Sequence, residues 1–227
     1  MVRNIFTNKR VVFVIVYVLC ILSSFVFVKN NYTSIYELVS RNNFSCFLIM
    51  PTSILFSIIL LDSLNKNILL EQRFSNKYKY ALYIVKILIL SLIVLSIFLV
   101  LMLYFFNYFI RPELLNIKYI FIIFTRLFSD LLLMSMFVLV ISVLTSKNIS
   151  IITSVLMIAI SFILDINVFN ILNESIVYVF LKLFLILLLV LIFTKKYVNL
   201  FEGVFKWFQL LKGIYYLLKE LNAHFQL

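Results

Sequence analysis

Long runs of hydrocarbon side chains, broken only by short charged segments, constrain this chain more than any motif in it. From Val11 to Val28 no residue carries a charge, and at about 1.5 Å of rise per residue such a run covers the hydrocarbon core of a bilayer. The pattern recurs, giving six expected spans over about residues 11–28, 45–61, 84–107, 119–144, 150–166 and 175–194. These runs are continuous and not alternating, which excludes a β-barrel and predicts helices that satisfy their own backbone groups in lipid. Composition agrees, since 65% of residues are apolar, 13% are charged and the mean hydropathy is +1.16. The expected class is therefore an all-α polytopic membrane protein.

The charges between the runs predict direction. Arg3, Lys9 and Arg10 precede the first run and place the N-terminus in the cytoplasm. No small-x-small cleavage pattern follows that run in KNNYTS, so it reads as a retained span and not a signal peptide. Lys29 to Phe44 reads as an outer loop, and Pro51 lies near the start of the second span, where its missing donor does least harm or makes a kink. The stretch from Asp62 to Lys86 holds Lys66, Arg73, Lys77, Lys79 and Lys86 against Asp62 and Glu71, and belongs inside. Arg111, Pro112 and Glu113 mark an outer turn. Lys147 marks an inner one, the loop from Asp165 to Glu174 has acids and no bases, and Lys195 with Lys196 ends the sixth run on the inside. Both termini are thus expected in the cytoplasm, with residues 1–195 forming a six-helix membrane domain.

Residues 196–227 follow another rule. Asn199, Glu202, Lys206, Gln209 and Lys212 recur three or four apart, with Phe201, Val204, Phe205, Phe208, Leu211 and Tyr215 on the other side. That is an amphipathic helix, and Phe205, Trp207 and Phe208 make it an interfacial one whose role is either a membrane anchor or a partner-binding surface.

The inventory of reactive groups excludes most chemistries. His224 is the single histidine, and Cys20 and Cys46 fall at different depths, so neither a metal cluster, a catalytic triad nor a disulfide is expected. With only Gly203 and Gly213, no glycine-rich phosphate loop can form. The net charge of +11 sits at the ends of apolar runs, facing lipid headgroups and not nucleic acid. No catalytic, cofactor-binding or metal-binding residue is expected in this chain.

Two ionisable residues nevertheless stand inside a run. Arg126 and Asp130 are four apart and share one helix face, where they can neutralise each other. With Ser129 they either face a protein-lined path or partner subunit, or Arg126 lies at headgroup depth beyond an interfacial segment over 116–125. Lys182, in the first half of the sixth run, is expected to snorkel outward.

The inner loop between the second and third spans reads LLEQRFSNKYKYALYIVKIL, with Ile68, Leu69, Leu70 and Phe74 forming an apolar patch beside Glu71, Gln72 and Arg73. Glu71, Arg73, Tyr78, Tyr83 and Lys86 give an acid, a base, a polar turn and a tyrosine-rich approach to a lysine that opens the third helix. Together with six spans in about 230 residues and a short basic N-terminal segment, this loop resembles that of the permease subunits of ABC-2-type transporters. The amphipathic C-terminal extension departs from that pattern. The resemblance implies two permease chains, identical or different, with separately encoded ABC ATPase subunits that hold ATP and magnesium. Residues Ile68, Leu69, Leu70, Glu71, Arg73 and Phe74 would then form the ATPase-coupling loop, and the chain would not be an enzyme by itself. Small outer loops imply an amphipathic cargo for export, such as an antimicrobial peptide, a lipid-like molecule or a drug. Abundant Ile, Lys, Asn and Phe imply the plasma membrane of a low-GC Gram-positive bacterium. The alternative is a non-transporting immunity or assembly factor that binds another membrane component.

Overall fold

A computed structural model describes residues 10–30, 34–65, 77–110, 119–165 and 179–198. The chain is all-helical across them. Helix α1 is Arg10–Lys29 and α2 is the short Ile35–Ser40. Helix α3 starts as Asn42–Phe44, passes through a π-helical turn at Ser45–Ile49 and continues as Met50–Asn65. Helices α4, Lys77–Ile110, α5, Ile120–Leu144, and α6, Lys147–Ile163, follow, and α7 covers 179–198. Among the described residues, three segments are long and apolar enough to cross a membrane, namely Asn42–Leu61, Tyr78–Ile110 and Ile120–Leu144. The chain is a membrane-embedded helical protein.

Helix ends and membrane edges do not coincide. The expected third span, 84–107, lies within α4, whose 34 residues extend about 51 Å, well beyond a hydrocarbon core of about 30 Å. Lys77, Tyr78, Lys79 and Tyr80 mark where polarity begins, yet none of them breaks a helix. The expected outer loop between Lys29 and Phe44 holds a helix, because Ser34 caps α2 by accepting the Glu37 N–H at 3.1 Å. Ser34 and Glu37 are three apart, the spacing of a capping box. Arg41 then pairs with Glu37 at 2.8 Å on the exposed side, while Ile35, Leu38 and Val39 are buried.

Pro51 accounts for the distortion in α3. Proline has no N–H and its ring crowds the preceding turn, so an unbroken α-helical ladder cannot run through it. One wider turn precedes it, in which the Met50 N–H reaches the Ser45 carbonyl five residues back. The Thr52 hydroxyl donates to the Leu48 carbonyl at 2.6 Å, and Ser53 to that of Ile49 at 2.7 Å, supplying side-chain donors around the gap.

Helix α5 is the hub, packing on α3, α4 and α6. Leu127, Leu131, Met134 and Val138 are buried on one side of it and Leu132, Met136, Leu139 and Val140 on another, as in a helix surrounded by neighbours. In lipid, apolar burial alone gives little preference for helix over tail, so close backbone approach and interhelical hydrogen bonds carry more of the specificity. Ser53 donates to the Leu131 carbonyl at 3.4 Å and Ser57 to that of Ser135 at 3.3 Å, joining α3 to α5, while Ser150 donates to Val138 at 2.8 Å, joining α6 to α5.

These contacts fix relative directions. Residues 53 and 57 meet 131 and 135 in the same order, so α3 and α5 run parallel. Tyr17 meets Phe98 at 4.8 Å and Phe25 meets Phe106 at 5.4 Å, so α1 and α4 are parallel as well. The start of α3 meets the end of α6 through Asn42 and Ser161, and Phe47 and Phe162, so that pair is antiparallel. Tyr197, at the end of α7, lies 6.1 Å from Tyr80, at the start of α4.

Candidate functional site

Asp130 sits ten residues into α5, about 15 Å from its Ile120 end and near the middle of a helix that can span a bilayer. Its carboxylate is fully buried and accepts a hydrogen bond from Lys182 Nζ of α7, a side chain only 1% exposed. Lys182 therefore does not snorkel. The helix turns it inward, with Ile186, Phe193 and Tyr197 on the same buried stripe. A buried acid in this setting needs a cation, and the cation supplied from another helix lies fifty-two positions away in sequence.

Arg126 occupies the turn before Asp130 and is 7% exposed. Side chains on a helix lean toward its N-terminus, which carries the guanidinium toward α2. There its central carbon lies 5.5 Å from the centre of the Tyr36 ring, a cation–π contact. Tyr36 in turn lies 6.4 Å from Tyr119, the residue that caps α5. Ser129 does not join the cluster chemically, because its hydroxyl donates to the Arg126 carbonyl at 2.9 Å on its own helix.

The described site thus contains two cations and one acid beneath a short aromatic cover. Of the residues singled out from sequence, Arg126 and Asp130 are brought together on one buried face, and Lys182 is the member that sequence reading assigned elsewhere. A second polar cluster lies at the α3–α6 contact, where Asn42 Nδ2 donates to the Ser161 carbonyl at 2.9 Å and to Asp165 Oδ1 at 3.1 Å. Cys46 Sγ donates to Asn42 Oδ1 at 3.3 Å in the same place. This arrangement ties two helix ends and is internally satisfied. An open groove of about 470 Å³ between α5 and α6 is lined by Phe137, Leu156, Met157 and Ile160 and has no charged side chain on its wall.

Cys20 and Cys46 are both free thiols. Among the described residues no three His, Cys, Asp or Glu side chains gather closely enough to hold a metal ion. Ile68, Leu69, Leu70, Glu71, Arg73 and Phe74 lie outside the described residues, as do Phe205, Trp207 and Phe208. Comparison with known proteins gives no matching family model, no matching curated protein and no matching solved structure.

Proposed function

We propose that the chain is a membrane-spanning permease subunit of an ATP-driven ABC exporter, with six spans and both termini in the cytoplasm. The observation that carries this reading is the buried Asp130–Lys182 pair beside Arg126. Well-packed apolar residues of similar volume are often at least as stable as a buried ion pair, so intramembrane charges of this kind mark moving or substrate-facing helices. The helix directions support the topology: α1 and α4 run one way, α3 and α5 run together, and α6 opposes α3, as expected when each span reverses the last.

In this reading the ATPase, with its ATP and magnesium, is a separate subunit, and a second permease chain completes the path. The segment from Ile68 to Phe74 is the element on which ATPase closure presses. The cargo is amphipathic, a class that includes antimicrobial peptides, lipid-like molecules and drugs, and the C-terminal amphipathic segment around Phe205, Trp207 and Phe208 rests on the inner membrane surface.

The test replaces Leu70→Arg and Glu71→Lys together in the full chain. Expression and membrane insertion are expected to persist, while co-purification of an ATPase in gentle detergent, or transport driven by it, falls at least several-fold. An intact ATPase complex with normal transport would remove the loop from the mechanism. Recovery of the unaltered chain with another membrane protein and no ATPase would support the non-transporting immunity or assembly reading.

A further inference from the structure

We infer that the groove between α5 and α6 seats one acyl chain of an amine-headed phospholipid, with the lipid's ammonium group held at Asp165. The inference rests on the chain being embedded in a membrane and not on what the chain transports.

The groove follows from how α6 is tied. Ser150 donates to the Val138 carbonyl at 2.8 Å and Ser154 is completely buried, so small side chains draw the first half of α6 against α5. Near its other end α6 is tied to α3, where Asn42 Nδ2 donates to the Ser161 carbonyl at 2.9 Å. A helix held by two different neighbours leaves space beside one of them. Thr153, Leu156, Met157, Ile160, Ser161 and Leu164 recur at helical spacing along that space, and Phe137, next to the Val138 contact on α5, lies toward the Thr153 end.

The dimensions fit a hydrocarbon chain. From Thr153 to Leu164 the stripe rises about 16 Å, close to half of a hydrocarbon core about 30 Å thick, which is the depth of one leaflet. Spread over that length, a volume of about 470 Å³ gives a mean cross-section of about 30 Å², against roughly 80 Å² for a helix about 10 Å across. The wall also argues against a second protein helix. Leu156, Ile160 and Leu164 are large and exposed, whereas Ser150, Ser154 and Ser161, the residues that would let another backbone approach, are already buried within the chain.

The head group follows from the open end. Leu164 is followed by Asp165, whose exposed carboxylate belongs at headgroup depth and not in hydrocarbon. Asp165 Oδ1 accepts from Asn42 Nδ2 at 3.1 Å, which fixes the carboxylate beside the α6 C-terminus. That terminus carries partial negative charge, so carboxylate and helix end together favour a cation. Among the described residues no lysine or arginine lines the groove to attract an anionic head. A phospholipid with a primary ammonium, such as phosphatidylethanolamine, supplies both the cation and a chain of one-leaflet length.

The test uses the full-length chain in dodecyl maltoside with a phosphatidylethanolamine that carries a photoactivatable diazirine midway along one acyl chain. Adducts are expected on Phe137, Leu156, Met157 or Ile160, and excess unlabelled phosphatidylethanolamine should suppress them about threefold more effectively than phosphatidylglycerol. Asp165→Asn keeps an acceptor for Asn42 and should abolish that preference without abolishing labelling. Ile160→Trp fills the groove and should lose the adducts, while Ile152→Trp, at another exposed position of α6, should retain them. Labelling spread evenly over exposed faces such as Leu90, Val94 and Leu101 of α4 would show surrounding lipid only and overturn the seat, whether or not the variants fold. Equal competition by the two lipids, or an unchanged preference in Asp165→Asn, would overturn the head-group assignment. A groove without adducts, in a dimer that Ile160→Trp dissociates, would give the groove to a second copy of the chain and overturn the proposal.

Discussion

Asp130→Ala is expected to destabilise the chain by about 3–5 kcal/mol, the range for removing one partner of a fully buried ion pair. The loss comes less from the missing hydrogen bond than from what remains, because the buried Lys182 ammonium would be left in a low-dielectric site without the acid that pairs with it. Replacing Asp130 and Lys182 together, by Asn and Met, should therefore be milder than Asp130→Ala alone. Lys182→Met should also be milder, since Arg126 stands one turn away on the same helix. Reversible unfolding of the purified chain in mixed micelles orders the three variants. Equal losses in all of them would mean that the charges are solvated and that the pair contributes nothing specific.

Ser57→Leu should have the second largest effect, about 1–3 kcal/mol, with Ser57→Ala costing well under half as much. Ser57 is completely buried where α3 crosses α5, and its hydroxyl donates to the Ser53 carbonyl at 2.7 Å and approaches that of Ser135 at 3.3 Å. Small side chains let the two backbones come this close. Three added carbons cannot be accommodated without separating the helices, whereas loss of the hydroxyl removes only a partly redundant bond. The same unfolding assay compares the two, and a Leu variant as stable as the Ala variant would show that the contact is loose.

Much of this architecture is legible in the sequence, for reasons that also explain what is not. Apolar runs report the solvent a segment prefers, so α1, α3, α4, α5 and α6 are found where hydropathy puts them. Polarity, though, marks the membrane edge and not the helix end, which is why α4 begins at Lys77 and α3 at Asn42. The Arg126–Asp130 spacing reveals a shared face because four residues is a helical repeat. No local pattern reveals Lys182 as the partner across helices, and a lysine in the first half of an apolar run looks like one that could reach water. Helix α2 is a different case. The Ser34-x-x-Glu37 spacing announces a helix start, but it sits in a polar stretch that topology alone assigns to a loop. Pro51 signals a local irregularity, and in the structure a π-helical turn precedes it.

Six crossings with both ends inside is the claim on which the depth of Asp130, the direction of α7 and the inner position of the Ile68–Phe74 loop all rest. Single cysteines at Asn30, Asn170, Ser75 and Ala223, treated with a membrane-impermeant maleimide in intact cells, test it most directly, and the parent thiols at Cys20 and Cys46 are buried enough to stay silent. Labelling at Asn30 and Asn170 without permeabilisation, with Ser75 and Ala223 reacting only after it, is the expected result. Labelling at Ser75 in intact cells, or protection of Asn170 there, would contradict the account.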